Sequence, residues 1–357
     1  MRARSPTGSW RRNPSLVSLN RTLAVAPMME WTDCHCRYFL RGFGPDILLY
    51  TEMITAQALL YGDAGRLLRR APEEHPLALQ LGGSDPELLA RAAALGAAAG
   101  YDEINLNCGC PSERVQSGVF GACLMLEPER VADCVRAMRA AIDVPVTVKM
   151  RIGVIEGDGA GARVRLAAFD ERAYQRLVDF TTAVVQAGCD TVIVHAREAV
   201  LGGLSPKENR EVPPLRPEVA RRLKRDFPDL RLVLNGGLRT LAQVEAALQW
   251  CDGVMLGREA YHRPSVLAEL QQRFGRPDYR PLDANAMLER MARYAEIEMS
   301  RGEPLAAITR HMLGLRAGLP GARAFRRLLS EGARRADAGP ELLRRAARRL
   351  LDPDCVA

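Results

Sequence analysis

Eight short apolar runs recur along the 357-residue chain, and each is followed by a stretch in which apolar residues have helical spacing. The runs lie at 23–26, 47–50, 77–81, 103–107, 146–149, 191–194, 230–234 and 253–256. The helical patterns are clearest over 86–99, 128–142, 174–187, 219–227 and 240–249. Eight strand–helix units predict an α/β fold of the TIM (β/α)8 barrel type. A doubly wound sheet is the alternative, but no Gly-x-Gly-x-x-Gly motif follows the first run.

The strand pattern stops near residue 278, and only helical patterns continue, over 285–301, 321–332 and 340–351. We therefore expect a flexible leader over 1–20, a barrel over 21–278 and a helical domain over 279–357. From residue 280 onward the chain carries 15 Arg, no Lys and 10 acidic residues, which is a net +5 of the chain's +7. Such a segment suits a polyanionic partner, although charge alone fits solvated helix faces better.

The composition excludes several classes of protein. No run of about 18 apolar residues is present, so no membrane span is expected, and the N-terminus lacks the apolar core of a secretory signal. Nine cysteines, an odd number without a Cys-x-x-Cys pair, indicate a reducing cytoplasm rather than a disulfide framework. Cys34-His35-Cys36 is too closely spaced for a typical metal site and lacks a second ligand pair. We expect a cytoplasmic monomer that binds no metal.

In a barrel of this kind the C-terminal ends of the strands form one rim, where active sites lie. Gly236-Gly237 and Gly257-Arg258 follow the seventh and eighth runs, and the loops after these two strands frequently bind phosphate. Glycine lets backbone N–H groups approach an anion closely, and the arginine adds a fixed positive charge. The sequence therefore predicts a phosphate site at this part of the rim.

Other strand ends bring further polar groups and an apolar surface to the same rim. They are Gln80, Asn107, Lys149, His195, Arg197 and Asn235, with Pro27, Met28 and Met29 after the first run. The two methionines provide a polarisable floor for a flat ring. A phosphate, a flat ring and hydrogen-bonding amides together fit flavin mononucleotide (FMN). They fit a sugar phosphate less well, because nothing in the set resembles the acid/base pair of an aldolase or isomerase.

The turn after the fourth run carries two thiols, Cys108 and Cys110. Cys108 is expected to face the core or the flank of the strand, whereas Cys110, between glycine and proline, is held in the turn. An ordinary thiol, with a pKa of about 8.5, is protonated at neutral pH. We therefore interpret Cys110 as a proton donor in a redox reaction on a pyrimidine base. A nucleophilic thiolate with His195 as its base remains the alternative.

Longer motifs resemble those of the tRNA-dihydrouridine synthases, in particular the bacterial A-type subfamily, and they extend over roughly 23–332. In the first half of the chain they are Ala26-Pro-Met-Met-Glu-Trp-Thr-Asp33, Tyr50-Thr-Glu-Met53, Gln80-Leu-Gly-Gly-Ser84, 105–115 and 118–125. In the second half they are His195-Ala-Arg197, Gly203-Leu-Ser-Pro-Lys-Glu-Asn-Arg210, Asn235-Gly-Gly237, Gly257-Arg258, Arg310-His-Met-Leu-Gly314 and Pro320-Gly-Ala-Arg323.

The resemblance implies an FMN-bearing barrel with a helical tRNA-binding domain, which reduces the C5–C6 double bond of uridine in the tRNA D-loop at positions 20 and 20a with NADPH. Cys110 is implied to protonate C5 while the flavin delivers hydride to C6, and Asn107 is implied to bind the uracil. The residues implied to hold FMN are Pro27, Met28, Met29, Gln80, Lys149, His195, Asn235, Gly236, Gly237, Gly257 and Arg258. Those assigned to the substrate are Arg197, Lys207, Arg210, Arg323 and Arg326.

Two departures from the subfamily pattern stand out. Met150 lies where a histidine is expected, and the Gly-rich stretch over 156–170 is longer than expected. An FMN barrel acting on a free pyrimidine, like a dihydroorotate dehydrogenase, is the alternative enzyme, and the basic tail argues against it. An RNA-binding module with a dormant barrel is a third possibility, against which Cys110, Lys149 and the two phosphate loops argue.

Overall fold

The computed structural model describes residues 19–112, 120–156 and 169–351. Most of the predicted leader (1–20) and most of the Gly-rich stretch (156–170) therefore lie outside the described residues. Residues 113–119, at the edges of two of the quoted motifs, also lie outside them.

Eight parallel strands form one sheet in the order β1-β10-β9-β7-β5-β4-β3-β2. These strands are β1 Leu23–Val25, β2 Leu49–Thr55, β3 Leu77–Gly82, β4 Glu103–Cys108, β5 Val146–Arg151, β7 Thr191–His195, β9 Arg231–Asn235 and β10 Gly253–Leu256. A parallel bridge between Ala24 and Leu48 joins the two edge strands, and the Leu48 N–H donates to the Leu23 carbonyl at 2.9 Å. This pairing brings the two edges of the sheet together, and the prediction of a TIM barrel is confirmed.

Helices separate the strands and cover the outside of the barrel. They are α1 Cys34–Arg41, α2 Ala56–Tyr61, α3 Ala64–Leu67, α4 Pro86–Ala98, α5 Pro128–Ala141, α6 Glu171–Gln186, α7 Pro217–Asp226, α8 Leu241–Leu248, α9 Arg258–His262 and α10 Ser265–Phe274. Several begin at an acidic cap: the Asp85 carboxylate accepts the backbone N–H of Glu87 and of Leu88, each at 2.9 Å, and Pro86 occupies the first turn. Such caps satisfy N–H groups that have no partner within the helix.

The strands have two apolar faces, and β4 has an unusual one. Its Ile104, Leu106 and Cys108 join the large cluster between strands and helices, so the alternate residues Glu103, Asn105 and Asn107 face the barrel interior. The interior of the other strands is packed mainly by small and apolar side chains. These are Ala24, Ala26, Leu48, Tyr50, Ala78, Ile193, Val233 and Met255. The polar residues of β4 are therefore surrounded by packed side chains rather than by a water-filled pore.

Two features of the sheet were not predicted. A small parallel sheet of β6 Val154–Glu156 and β8 Ala199–Leu201 lies beyond the ends of β5 and β7. In addition, β2 begins later than the apolar run at 47–50 and continues through polar residues to Thr55. Its register with β3 shifts between Tyr50 and Met53. A bulge of this kind changes which side chains face inward.

After α10, the described part of the chain up to residue 351 contains helices and turns only. The helices are α11 Ala284–Ser300, α12 Leu305–Thr309, α13 Ala322–Gly332 and α14 Glu341–Leu351. The division into domains at residues 278 and 279 stays a prediction. In the described ranges, no helix combines the length and the apolar character that crossing a membrane requires.

Candidate active site

The register of the sheet places the predicted rim residues side by side. Gln80 pairs with Asn105, and Asn107 pairs with Lys149 on the next strand. Arg151 pairs with His195, which in turn pairs with Asn235. Polar groups that are far apart in the sequence therefore form one continuous arc along the C-terminal ends of five neighbouring strands.

A chain of hydrogen bonds, which we call the interior relay, crosses the barrel from its floor to this rim. At the floor, the buried Glu103 carboxylate accepts from Arg21 Nε at 2.7 Å and from the Tyr50 hydroxyl at 2.5 Å. The Thr147 hydroxyl donates to Glu103 at 2.7 Å and accepts from the Asn105 amide at 2.8 Å. Each link is buried, so each bond fixes the orientation of the next side chain.

The upper half of the interior relay ends at the Cys110 turn. The Gln80 amide nitrogen donates to Asn105 Oδ1, and Asn107 Nδ2 donates to Gln80 Oε1, both at 2.7 Å. Asn107 Oδ1 then accepts the backbone N–H of Gly109 at 3.1 Å and that of Cys110 at 3.0 Å. The Asn107 side chain thus holds the turn by its oxygen, and among the described residues one hydrogen of its amide has no acceptor.

Arg151 holds the same turn from the other side. Its Nε donates to the Gly109 carbonyl at 3.1 Å, and its Nη1 donates to the Asn209 carbonyl at 3.0 Å. Cys110 is partly exposed at the rim. Because the turn is fixed on both sides, the thiol is presented from a rigid support.

The rim carries an excess of positive charge. Burial, together with the charge of Arg151, lowers the pKa of Lys149 to about 7. Burial likewise lowers the pKa of Arg151 to about 9. Burial, with the charges of four neighbouring cations, holds the pKa of His195 well below its usual range. Desolvation and the charge of Arg258 also lower the pKa of Arg197. Cations that repel one another in a fixed arrangement favour an anionic or electron-rich ligand.

The two glycine loops form a cradle at the predicted position. Gly236 and Gly237 have φ values of +110° and +73°, which glycine alone adopts readily. A Cβ on Gly236 would lie 2.8 Å from His195 Cδ2, so the space beside His195 exists because the side chain is missing. Asn235 Nδ2 donates to the Met255 carbonyl at 2.8 Å, whereas the Arg258 guanidinium contacts Glu211 Oε1 at 2.6 Å. Both loops thus lie at the predicted part of the rim, with His195 and Leu215 packed closely on the two glycines, and their binding of a phosphate stays a prediction.

The remaining substrate residues lie outside this arc. Arg210 is exposed. Desolvation and, as the next largest cause, the charge of Arg258 lower the pKa of Arg210. Lys207 is exposed on the loop that follows β8, and buried Asn209 holds this loop by bonds to the Val200 and Leu204 carbonyls at 3.0 and 3.1 Å. Arg323 and Arg326, the other two, are exposed on α13 and form no ion pair within the described part of the chain.

Two residues at the ends of β4 and β5, Cys108 and Met150, face away from the site. The side chains of Cys108 and Met150 are fully buried in the cluster between strands and helices. Burial raises the pKa of the Cys108 thiol well above its usual range, so this thiol is a packing residue. Met150, which replaces an expected histidine, does not reach the rim. No described contact joins Cys110 to His195, and the roles of these two residues stay predictions.

Several residues of the site were not singled out from the sequence. They are Glu103, Thr147, Asn105 and Arg151, all buried. The alternation of polar and apolar residues along β4 was a usable signal, because an inward polar series in a barrel strand needs partners of its own.

The Met28 turn, residues 26–33, forms the last part of the rim and is held by its own polar groups. The Thr32 hydroxyl accepts the Met28 N–H at 2.9 Å and donates to the Met28 carbonyl at 3.2 Å. Glu30 has a φ of +64°, and its N–H donates to the Glu52 carboxylate of β2. Met29 is exposed at the tip. The turn therefore presents its methionines from a constrained backbone.

The sequence was compared with those of known proteins. The sequence model of one family, described as Dihydrouridine synthase (Dus), matches residues 24–351. A relative named tRNA-dihydrouridine(20/20a) synthase, from Pseudomonas syringae pv. tomato, is 52% identical over 93% of this chain and 95% of its own length. Relatives with the same name from Pseudomonas aeruginosa and Shewanella oneidensis are 53% and 51% identical, over 90% and 95% of this chain and 92% and 97% of their own lengths.

Proposed function

This chain belongs to the dihydrouridine synthase family, a family of flavin-dependent oxidoreductases, and from that premise we propose that it reduces uridine to 5,6-dihydrouridine in the D-loop of tRNA. The relatives' names support positions 20 and 20a as the sites of reduction. The observation that carries the proposal is the Cys110 turn, which is fixed by Asn107 and Arg151 beside a positively charged rim.

The rim residues fit FMN as the bound group. The glycine cradle with Gly257 and Arg258 would hold the phosphate, and Lys149 and His195 would face the polar edge of the ring. Pro27, Met28 and Met29 would lie against its apolar surface, and the Gln80 amide, oriented by the interior relay, offers a hydrogen bond. Bound FMN, reduced by NADPH, would supply the hydride.

The chain's own residues would then bind and protonate the base. The target uracil has to leave its stacked position to enter the rim, where the free amide hydrogen of Asn107 can bind a carbonyl. The Cys110 thiol donates the proton that completes the reduction at C5. The tRNA phosphates would contact Lys207, Arg210, Arg323 and Arg326, with Arg197 closer to the reacting base, and these contacts supply most of the affinity.

The test is turnover of unmodified tRNA by purified protein supplied with FMN and NADPH, with dihydrouridine mapped by position. Product at positions 20 and 20a is expected, and free uridine or orotate should not be reduced. Turnover of the free pyrimidine without tRNA would instead support the alternative enzyme, an FMN barrel that acts on a free pyrimidine. If no dihydrouridine forms on tRNA, the proposal is wrong.

A variant pair tests the proton donor separately. Cys110→Ala is expected to slow tRNA reduction by about 100-fold or more, the usual contribution of a positioned acid, while NADPH still reduces the flavin. Cys123→Ala is the matched control, because this partly exposed thiol only donates to the Phe120 carbonyl at 3.0 Å. Unchanged turnover of tRNA by Cys110→Ala would contradict the assigned role.

A further inference from the structure

The motif at 310–314, in the helical region, has no role in the proposed chemistry, yet two of its residues contact the Met28 turn. The Arg310 guanidinium donates to Asp33 Oδ2 at 2.5 Å, and His311 Nε2 lies 3.0 Å from the same oxygen. The other Asp33 oxygen accepts the Cys36 N–H at 2.9 Å and caps α1. We call Asp33, Arg310 and His311 the Asp33 junction.

The histidine of the junction is fully enclosed, which fixes its orientation. His311 is 1% exposed, and its Nδ1 lies 3.2 Å from the Tyr261 hydroxyl of α9. His311 Nε2 also lies 3.1 Å from Arg310 Nε, and the Tyr261 hydroxyl lies 3.4 Å from the Arg310 carbonyl oxygen. The Asp33 carboxylate can only accept, and it accepts from the Arg310 guanidinium. Charge-assisted bonds of this kind are the stronger class of hydrogen bond. Burial raises the pKa of Asp33, but the hydrogen bonds from His311, Cys36 and Arg310 lower it by more. The net effect is a lowered pKa, which favours the ionised carboxylate.

A second set of contacts joins the same turn to the same motif. Trp31 stacks on Tyr261 with ring centroids 4.3 Å apart and an interplanar angle of 15°, and Tyr261 contacts His311 edge to face. Gly314 packs so closely on α9 that a Cβ there would lie 2.5 Å from the His262 carbonyl oxygen. The motif is therefore seated against both the Met28 turn and α9.

The turn that the junction holds is the one that carries Met28 and Met29. Only three residues lie between Met29 and Asp33, and the bonds of Thr32 and Glu52 constrain this segment. Because the turn is held by its own bonds, Asp33 offers the helical region a fixed point beside the rim. We propose, on the basis of the proposed function, that the Asp33 junction is a positioning device that fixes where the helical region presents tRNA relative to the flavin and Cys110.

Other contacts join the helical region to α1 and to Arg69, which follows α3. Arg69 Nη1 donates to Glu303 at 2.6 Å, His35 Nδ1 lies 2.9 Å from the Tyr294 hydroxyl, and Tyr38 stacks on Tyr294 at 4.0 Å. Within the described residues, these groups form no hydrogen bond or ring contact with residues 26–33, although the charge of Asp33 acts on His35. They therefore provide an internal comparison for the junction.

The test variant is Asp33→Asn, because asparagine is as good an N-cap as aspartate. Its oxygen can keep the Cys36 bond, so its NH₂ group then faces Arg310 and His311. We expect kcat/KM for tRNA to fall by about tenfold, equivalent to about 1.4 kcal/mol, and the ratio of dihydrouridine at positions 20 and 20a to change. Flavin content and NADPH-driven flavin reduction without tRNA should stay at wild-type values. Arg310→Gln, made from the other side, should have the same effect, and Arg310→Lys should restore part of it.

Two controls carry the same loss of one negative charge. Asp337→Asn removes an exposed pair with Arg335 inside the helical region. Glu303→Gln removes the pair with Arg69, which does not involve Arg310 or His311. Both variants should keep the wild-type ratio of positions. The inference is overturned if Asp33→Asn and Arg310→Gln match these controls in tRNA turnover and position ratio, or if their only effect is loss of flavin. A wild-type protein that makes no dihydrouridine would instead refute the proposed function.

Discussion

Thr147→Val tests whether the interior relay stabilises the barrel. Thr147 is fully buried, and valine has nearly the same shape, so the change removes a hydroxyl without creating a cavity. The lost bonds are the donation to Glu103 at 2.7 Å and the acceptance from Asn105 at 2.8 Å. Glu103 keeps its bonds from Tyr50 and Arg21, whereas the Asn105 amide is left with a buried N–H that has lost its acceptor.

The expected size follows from these two losses. An unsatisfied buried donor costs about 1–3 kcal/mol, and a hydrogen bond to a charged group contributes about 1.5–3 kcal/mol, part of which Tyr50 and Arg21 retain. We therefore expect Thr147→Val to lower the free energy of unfolding by about 2–4 kcal/mol. Turnover of tRNA should also slow, because the amide of Asn105 no longer holds Gln80 and Asn107 in one orientation.

The assay is urea unfolding analysed by linear extrapolation, with turnover of tRNA measured on the same preparations. Thr181→Val is the matched control: this buried hydroxyl donates at 2.8 Å to the Leu177 carbonyl of its own helix. Its loss leaves no new unsatisfied group, so a change within about 1 kcal/mol is expected. Thr147→Ser should restore the relay. If Thr147→Val were no more destabilising than Thr181→Val, the relay would be a by-product of packing rather than a source of stability.

Three further predictions concern the rim and its surroundings. Gly236→Ala should weaken FMN binding by at least about tenfold in a titration, because the new Cβ would collide with His195. Gly302→Ala is the control, since Gly302 has a similar φ of +93° and nothing lies within 4 Å of its added Cβ. This control should leave the FMN dissociation constant unchanged. The pKa of Lys149 is lowered from 10.5 to about 7. Between pH 7 and 10.5 this side chain therefore binds fewer protons in the folded than in the unfolded chain, and the free energy of unfolding rises with pH. Lys149→Met should flatten this rise, measured by urea unfolding of the flavin-free protein. Burial raises the pKa of Glu198 from 4.5 to about 7, so this group costs stability as pH rises through that window, and Glu198→Gln should exceed wild type in unfolding free energy at about pH 8 but not at about pH 4.

The barrel could be predicted from the sequence because its strands and helices obey local rules. A run of apolar residues bounded by turns is visible without knowledge of its neighbours, and eight such runs in series leave few possible folds. The late end of β2 was missed for the same reason: its polar residues Thr51 and Glu52 break the apolar run. The strand continues past them through a shift of register to Met53. The three-residue strands of the small sheet are too short to leave a periodic signal.

The rim positions were predictable, but their partners were not. The fold guarantees that strand ends meet, so Lys149, His195 and the glycine loops could be proposed from position alone. The contact between Asp33 and Arg310 joins residues 277 apart, and no local pattern encodes which helix of the tail approaches which turn. Likewise, the pairing of Arg258 with Glu211 across 47 residues depends on loop conformation rather than on strand order.

The closed floor of the barrel has a consequence for the order of events in catalysis. Among the described residues, Arg21 and Glu103 close the end opposite the rim, and packed side chains fill the interior above them. Under the proposed function, NADPH and tRNA would reach the flavin by the same opening, and a uracil beside Cys110 would occupy the place that the nicotinamide needs. The proposed function therefore predicts that the two substrates alternate, so that the oxidised nicotinamide departs before the RNA binds productively.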